Sequence, residues 1–308
     1  MVVACPAGGG GRLLRVLNLG WSQLVPYAAG LQLQEALYGA RRAGGAPDTL
    51  VLLQHSPVYT IGKRGRDSDF RVPVEELRAR GIEIHHAPRG GEVTFHGPRQ
   101  LVAYPVVDVR DAKLGARAFV EALEDSIVDT VAAFGISARG RVAGATGVWV
   151  GERKIAAIGV KLSHGVSSHG LALNVDTDLS AFGDIIPCGI ADKDVTSIAA
   201  ELAAGRAASP SANGLATSLL GLEREAAGGM GLRGAPVLGG HVHAREHVLC
   251  VGDAARMYED AAAAFVRSFA SRLRYGRVEA VDVGGAGALD VHVAQLLRSS
   301  QPSSDAAS

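Results

Sequence analysis

The stretch Gly147-Val-Trp-Val-Gly-Glu-Arg-Lys-Ile-Ala-Ala-Ile-Gly-Val-Lys-Leu162 sets two apolar runs, Gly147 to Val150 and Lys154 to Leu162, on either side of Gly151-Glu152-Arg153. Short strand-forming runs separated by a glycine-bearing turn predict a β-hairpin. His169 to Val175 follows as another strand. Upstream, Leu13 to Leu19, Thr49 to Gln54, Ile82 to His86, Val93 to Phe95 and Leu101 to Val109 are short runs of strand character, several of them bounded by Gly and Pro. Helical spacing intervenes twice. Leu24, Tyr27, Leu31 and Tyr38 recur along one face up to Gly44-Gly45, and Phe119, Leu123, Ile127 and Val131 fall four apart until Gly135. Strands and helices thus alternate irregularly and include hairpins. The expected class is α+β, with a mixed or largely antiparallel sheet flanked by helices rather than a doubly wound one.

Beyond Asp194 the pattern predicts a short helix to about Leu202, and then Gly205 to Gly240 loses all periodicity. It returns between Asp253 and Tyr275, where Tyr258, Phe265, Phe269 and Leu273 share a helix face. The expected organisation of the 308 residues is therefore a flexible N-terminus over 1–12 and a catalytic domain over 13–204. A low-complexity insertion over 205–250, a C-terminal helix packing on the domain over 251–276 and a loose tail over 277–308 complete it. The first 34 residues contain no acidic side chain and carry Arg12 and Arg15, a bias of organelle transit peptides, although the strand at Leu13 leaves little to be cleaved.

The 31 basic and 31 acidic residues cancel, so no net attraction to nucleic acid or to an anionic membrane is expected, and neither is assigned as a partner. No apolar run reaches the roughly 18 residues that span a bilayer. Three widely spaced cysteines, Cys5, Cys188 and Cys250, do not make a disulfide framework and point to a reducing compartment.

Three segments carry candidate chemistry. In Arg89-Gly90-Gly91-Glu92-Val93-Thr94-Phe95-His96-Gly97-Pro98 the paired glycines let a backbone approach a ligand closely, while Arg89 and His96 supply polar groups; a tight turn entering a strand fits the spacing equally well. Lys154 opens an apolar strand, where a lysine usually reaches out to water but can instead be a partly desolvated amine that assists catalysis. Cys188 lies between Pro187 and Gly189, which exclude a regular helix and favour a rigid loop presenting the thiol; a nearby cation would raise its thiolate fraction. Cys5 and Cys250 read as small core residues. The pattern His241-x-His243-x3-His247 lies at the edge of the glycine-rich insertion without a companion carboxylate ladder, and no metal is assigned to it. Lys63-Arg64-Gly65-Arg66 reads as a solvated turn or as a basic spot that steers an acidic partner.

In this order the segments resemble the octanoyltransferases, the lipoyl(octanoyl) transferases, over about Arg15 to Leu202. The resemblance rests on Tyr59-Thr-Ile-Gly-Lys-Arg64, Arg89 to Pro98, Gly147-Val-Trp-Val150, Lys154-Ile-Ala-Ala-Ile-Gly159, His169-Gly-Leu-Ala-Leu-Asn174 and Pro187-Cys-Gly-Ile190. Pro47-Asp-Thr-Leu50 and Cys188-Gly-Ile-Ala-Asp-Lys193 look most like the mitochondrial enzymes of plants and algae. The resemblance implies transfer of octanoyl from acyl carrier protein to a lysine of lipoyl domains, those of 2-oxoacid dehydrogenase complexes and of the glycine cleavage H protein, in a mitochondrion. It implies no cofactor, Cys188 as nucleophile and Lys154 as its activator. Arg89, Gly90, Gly91, Glu92, Val93, Thr94, Phe95 and His96, with Ala157, Ile158, Gly159, Gly170, Leu171 and Ala172, match the segments that enclose the acyl group. The implied fold is that of the lipoate and biotin protein ligase catalytic domain.

Two departures stand out. Arg99 occupies a position where many relatives have glycine, and the insertion after Gly205 has no counterpart in compact relatives. Two rival readings remain at this stage, an ATP-dependent lipoate or biotin ligase and a binding protein without turnover. Cys188 between Pro187 and Gly189 weighs against the first, which needs no nucleophilic cysteine, and the presence of both Cys188 and Lys154 weighs against the second.

Overall fold

The structure is a computed structural model that describes residues 2–4, 11–21, 23–186, 194–208 and 254–283. The first third of the chain holds β1 (Val2–Ala4), β2 (Arg12–Asn18), β3 (Leu24–Val25), α1 (Tyr27–Arg42), β4 (Asp48–His55), β5 (Val58–Ile61), α2 (Val74–Ala79), β6 (Glu83–His86) and β7 (Val93–His96). The middle holds β8 (Gln100–Val106), α3 (Ala116–Ala132), β9 (Val148–Val150), β10 (Arg153–Ser163), β11 (Val166–Asn174) and α4 (Ile198–Ala208). The chain closes with α5 (Ala254–Arg272) and β12 (Tyr275–Asp282).

The main sheet runs β1-β12-β2-β4-β8-β11-β10-β9, with β3 added beside β4. Its β12-β2-β4 part is parallel, and from β4 through β8, β11, β10 and β9 every pairing is antiparallel. The class is the mixed, helix-flanked sheet expected, and the hairpin of Gly147 to Leu162 is present as β9 and β10. A second sheet, β6-β5-β7, stands apart from the first.

Helix α3 forms where the four-residue spacing placed it, buries Phe119, Leu123, Ile127 and Val131, and stops before Gly135 at φ +75°. Helix α5 packs beside it and buries Tyr258, Phe265 and Phe269 on the same face of the sheet. The guanidinium of Arg272 donates to both oxygens of Asp129 at 2.8 Å and fixes the pair. Helix α1 covers the opposite face with Leu33 and Leu37.

The C-terminal boundary differs from the sequence reading. The tail expected from 277 onward begins instead as β12, and Val2–Ala4, expected to be flexible, pairs with it as β1. Its hydrophobic content is diluted by Gly276, Arg277 and Glu279, which concealed a strand whose neighbours lie at the other end of the chain. Helix α4 also continues past Leu202 to Ala208. The rest of the expected insertion lies outside the described residues, as do Cys5, Cys188, Cys250 and the His241, His243 and His247 pattern. Among the described residues no helix is long and apolar enough to cross a membrane.

One buried charge ties the parallel half together. Asp48, 4% exposed at the start of β4, accepts from Arg41 Nε at 2.7 Å, Tyr275 Oη at 2.8 Å, the Asp108 amide at 2.9 Å and the guanidinium of Arg12. Arg12 also lies 4.5 Å over the Tyr275 ring. Removing one partner of a buried ion pair leaves the others desolvated and uncompensated. Asp48→Asn is therefore expected to lower unfolding free energy by about 3 kcal/mol, read from the shift of a urea denaturation midpoint, with secondary structure retained.

Candidate active site

The turn after β6 folds back on the end of β5. Lys63 N donates to Arg89 O at 3.0 Å, Arg64 N to Gly91 O at 3.1 Å and Gly62 N to Glu92 O at 3.0 Å. From there the turn reaches the main sheet, where Gly90 N donates to Val160 O of β10 at 3.1 Å. So close an approach excludes side chains between the two backbones. A Cβ on Gly159 would stand 2.7 Å from Gly90 O and 3.0 Å from Arg89 Cδ. Arg89 is buried, and its guanidinium donates to Thr60 O and Thr60 Oγ1 at 2.7 Å each and to Gly90 O at 2.9 Å. It braces the turn as well as facing the cavity beside it.

That cavity, of about 230 Å³, lies between the turn and the strands β10, β11 and β8. Arg89, Gly90, Gly91, Glu92, Val93, Thr94 and His96 line it from one side, and Ala157, Ile158, Gly159, Gly170, Leu171 and Ala172 from the other. Phe95 is the exception. The two-residue alternation of β7 turns its ring to the small sheet's own core, 5.3 Å from Tyr59 and 5.8 Å from Phe182. Tyr27, Tyr104, Gln100 and Asn174 also line the cavity and were not singled out from the sequence. Tyr27 reads there as one apolar helix position, and the other three sit inside strands whose neighbours are remote in the chain.

Lys154 lines the cavity as well, and it does not reach water; it is 6% exposed. The register of β9 against β10 shifts between Lys154 and Ala156. One extra residue in a strand reverses the face to which the following side chains point. Ala156, Ile158 and Val160 pack toward α3 and α5, whereas Lys154 stands over the Trp149 ring with Nζ 4.8 Å from its centroid. Its Nζ donates to Thr146 O at 3.2 Å. The backbone of Lys154 is held too: its N donates to Asp194 O and its O accepts from Thr196 N, both at 2.9 Å.

The segment bearing Cys188 lies outside the described residues, but both of its flanks are anchored. Ile186 N donates to Asp69 O at 2.7 Å, and Tyr59 Oη donates to Ala181 O at 2.7 Å. Phe182 on one flank and Val195 on the other both line the cavity. Arg99 adopts φ +61°, the left-handed region that glycine enters without strain. Its carbonyl accepts from Asp176 N and Thr177 Oγ1 at 3.1 Å each, and its guanidinium pairs with Asp176 at 2.8 Å.

The architecture and the cavity define a lipoyl protein ligase A/B catalytic domain, and the family of that description matches residues 26–212. Among solved structures the chain resembles a lipoate-protein ligase A bound with ATP, with a TM-score of 0.58, 14% identity and coverage of 95% of this chain and 96% of that one. It also resembles a bipartite lipoate protein ligase from Thermoplasma acidophilum, with a TM-score of 0.52, 14% identity and coverage of 94% and 92%. At these identities the likeness concerns the fold. Sequence relatives are nearer. The mitochondrial octanoyltransferase LIP2 of Arabidopsis thaliana is 50% identical over 190 residues, 62% of this chain and 80% of that protein. An octanoyltransferase of Solibacter usitatus is 52% identical over 176 residues, 57% of this chain and 79% of that protein. The chain belongs to the octanoyltransferase family, acyltransferases that move octanoyl in protein lipoylation.

Three histidines sit in or behind the cavity wall. Burial lowers His55 from the ordinary 6.5 to about 4, against the opposing hydrogen bond to Val25 O. Burial, then the nearby His55 and Arg89, lower His96 to about 3. Burial and Arg89 lower His169 to about 4. In the unfolded chain these rings take protons below about pH 6.5, while in the fold they stay neutral. Their contribution is complete above pH 6.5 and is lost as pH falls toward 4, at about 1.4 kcal/mol per pH unit for each ring. The melting temperature is expected to fall steeply between pH 6.5 and 4. His55→Gln should flatten that slope by about one proton's worth, whatever its effect at pH 7.

Proposed function

We propose that this chain takes octanoyl from octanoyl-acyl carrier protein and passes it to a lysine of lipoyl domains through an acyl-Cys188 intermediate. The observation that carries the reading is Lys154. It is buried at the cavity wall, over an aromatic ring, on a strand clamped to Asp194 and Thr196, just after the segment containing Cys188.

A thioester is already activated, so exchange of its sulfur leaving group for Cys188 needs no ATP. The Cys188 thiolate, favoured by the Lys154 ammonium, attacks the thioester carbonyl and forms a C–S bond. Collapse of the tetrahedral adduct breaks the bond to the carrier, whose sulfur takes a proton from Lys154. Lys154 is then neutral. It accepts the proton that the lipoyl-domain amine loses on attacking the acyl-cysteine; the new C–N bond forms as the bond to Cys188 breaks. The Trp149 ring lies under the Lys154 amine, with Nζ 4.8 Å from its centroid. The apolar strand faces around Ala157, Leu171 and Ala172 receive the alkyl chain, and the Gly90–Gly159 contact closes the wall beside it. Receiving domains are those of 2-oxoacid dehydrogenase complexes and the glycine cleavage H protein. A mitochondrial site of action is supported by the similarity to LIP2 and by the acid-free N-terminal stretch.

The direct test is intact mass after incubation with octanoyl-acyl carrier protein. A gain of one octanoyl group, lost on adding a lipoyl domain, is expected; transfer that proceeds with no acyl-enzyme on this time scale, or that requires ATP, overturns the reading. Cys188→Ser should abolish transfer while leaving the melting temperature unchanged, because a hydroxyl is a far weaker nucleophile than a thiolate at neutral pH. Lys154→Arg keeps the charge but cannot give up its proton, so transfer to the lipoyl domain should be severely impaired, while some acylation of Cys188 survives.

A further inference from the structure

A continuous line of hydrogen bonds runs along the cavity wall from Arg89 to the clamp on Lys154. Asn174 Nδ2 donates to Thr196 O at 3.0 Å, which leaves Asn174 Oδ1 to accept from Gln100 Nε2 at 2.9 Å. That same Gln100 nitrogen donates to Phe95 O at 3.1 Å, so the group 2.9 Å from His96 Nδ1 is Gln100 Oε1, an acceptor. His96 therefore carries its proton on Nδ1, and its Nε2 accepts from Thr60 Oγ1 at 3.4 Å. Thr60 Oγ1 in turn accepts from Arg89 Nη2 at 2.7 Å. Every link donates in the same sense, toward Thr196 O. All four side chains after Arg89 are buried, with His96, at 7% exposed, the least so.

We propose that Asn174, backed by Gln100 and His96, is a positioning residue for Lys154. Thr196 holds Lys154 by its amide and is itself held by the Asn174 amide through its carbonyl. In a buried chain whose every link is made in one sense, one geometry is strongly preferred, and reversing the donor at a single link sets two acceptors face to face. The strand segment Asp194 to Thr196 would then part from Lys154, which carries the reacting proton. Misplacement of a reacting group by about 1 Å costs on the order of 100-fold in rate. The inference rests on Lys154 acting in transfer, as proposed above.

Asn174→Asp tests it. An ionised carboxylate accepts from Gln100 but cannot donate to Thr196 O, whereas the protonated acid can do both. Single-turnover acylation by octanoyl-acyl carrier protein, corrected for folded fraction, is expected to fall about 100-fold at pH 8 with KM little changed, since the contact is not to substrate. The deficit relative to wild type should shrink as pH is lowered toward 6, while Asn174→Leu, which has no donor at any pH, shows no such recovery. Wild-type rates in folded Asn174→Asp, parallel pH profiles for the two variants, or a deficit equal to the lost folded fraction would each overturn the proposal. Lys154→Arg is assayed in parallel: full activity there removes the role of Lys154, whereas impairment there beside an active Asn174→Asp removes only the positioning. The ring ¹⁵N shifts of His96 in the wild-type protein give an answer independent of any variant. A protonated Nδ1 is expected from pH 8 to 6, and a protonated Nε2 in its place overturns the direction of the chain.

Discussion

Two sheets that share no strand meet at the cavity where the Gly90 amide donates to the Val160 carbonyl. The contact exists because Gly159 has no side chain to push Gly90 away and because Arg89 fills the space behind the turn with a guanidinium whose Nη atoms donate to Thr60 and Gly90. The cavity takes its shape from that approach. Its floor and one wall are strands of the main sheet, its other wall is the turn, and its width is the gap left once the two backbones touch. A methyl group at Gly159 would meet Gly90 O at 2.7 Å and move the turn outward, opening that wall of the cavity.

The same economy governs Lys154. A lysine at the beginning of a strand ordinarily keeps its amine in water, and a regular pairing of β9 with β10 would set it on the face occupied by Ala156 and Ile158, against α3 and α5. The register shift after Lys154 sends it to the opposite face instead, where Trp149 and the Thr146 carbonyl receive the amine. There the amine is buried, with a carbonyl and a ring among its neighbours. His96 and His169 line the same cavity, and burial is the main cause that holds both below the ordinary histidine value.

The periodic parts of the chain were the legible ones. The spacing of Phe119, Leu123, Ile127 and Val131 needs no partner to be recognised, and the hairpin around Gly151 is local as well. Arg89 to His96 was readable as a candidate site because paired glycines signal close approach, Ala157 to Gly159 only through the resemblance, and the structure brings both to one cavity. Tyr104, Gln100 and Asn174 were not, because a polar residue inside a strand has meaning only once its cross-sheet neighbour is known. The sequence reading also treated Phe95 as part of the wall along with its neighbours, and strand alternation removes it. β12 was missed for a related reason: its two partners begin more than 260 residues earlier.

That last strand has a consequence for how the molecule comes into being. β12 is inserted between β1 and β2, so the N-terminal strand has no seat in the sheet until the C-terminal one has arrived. During synthesis β2, β4 and β8 can associate early, but Arg12 and Asp48 wait for Tyr275 to complete their shared contact. A growing chain therefore carries an open β2 edge through most of its translation, the kind of edge that pairs with other strands when left uncovered. Pausing or truncation before Tyr275 leaves that edge uncovered and β1 without a neighbour, which favours pairing with another chain.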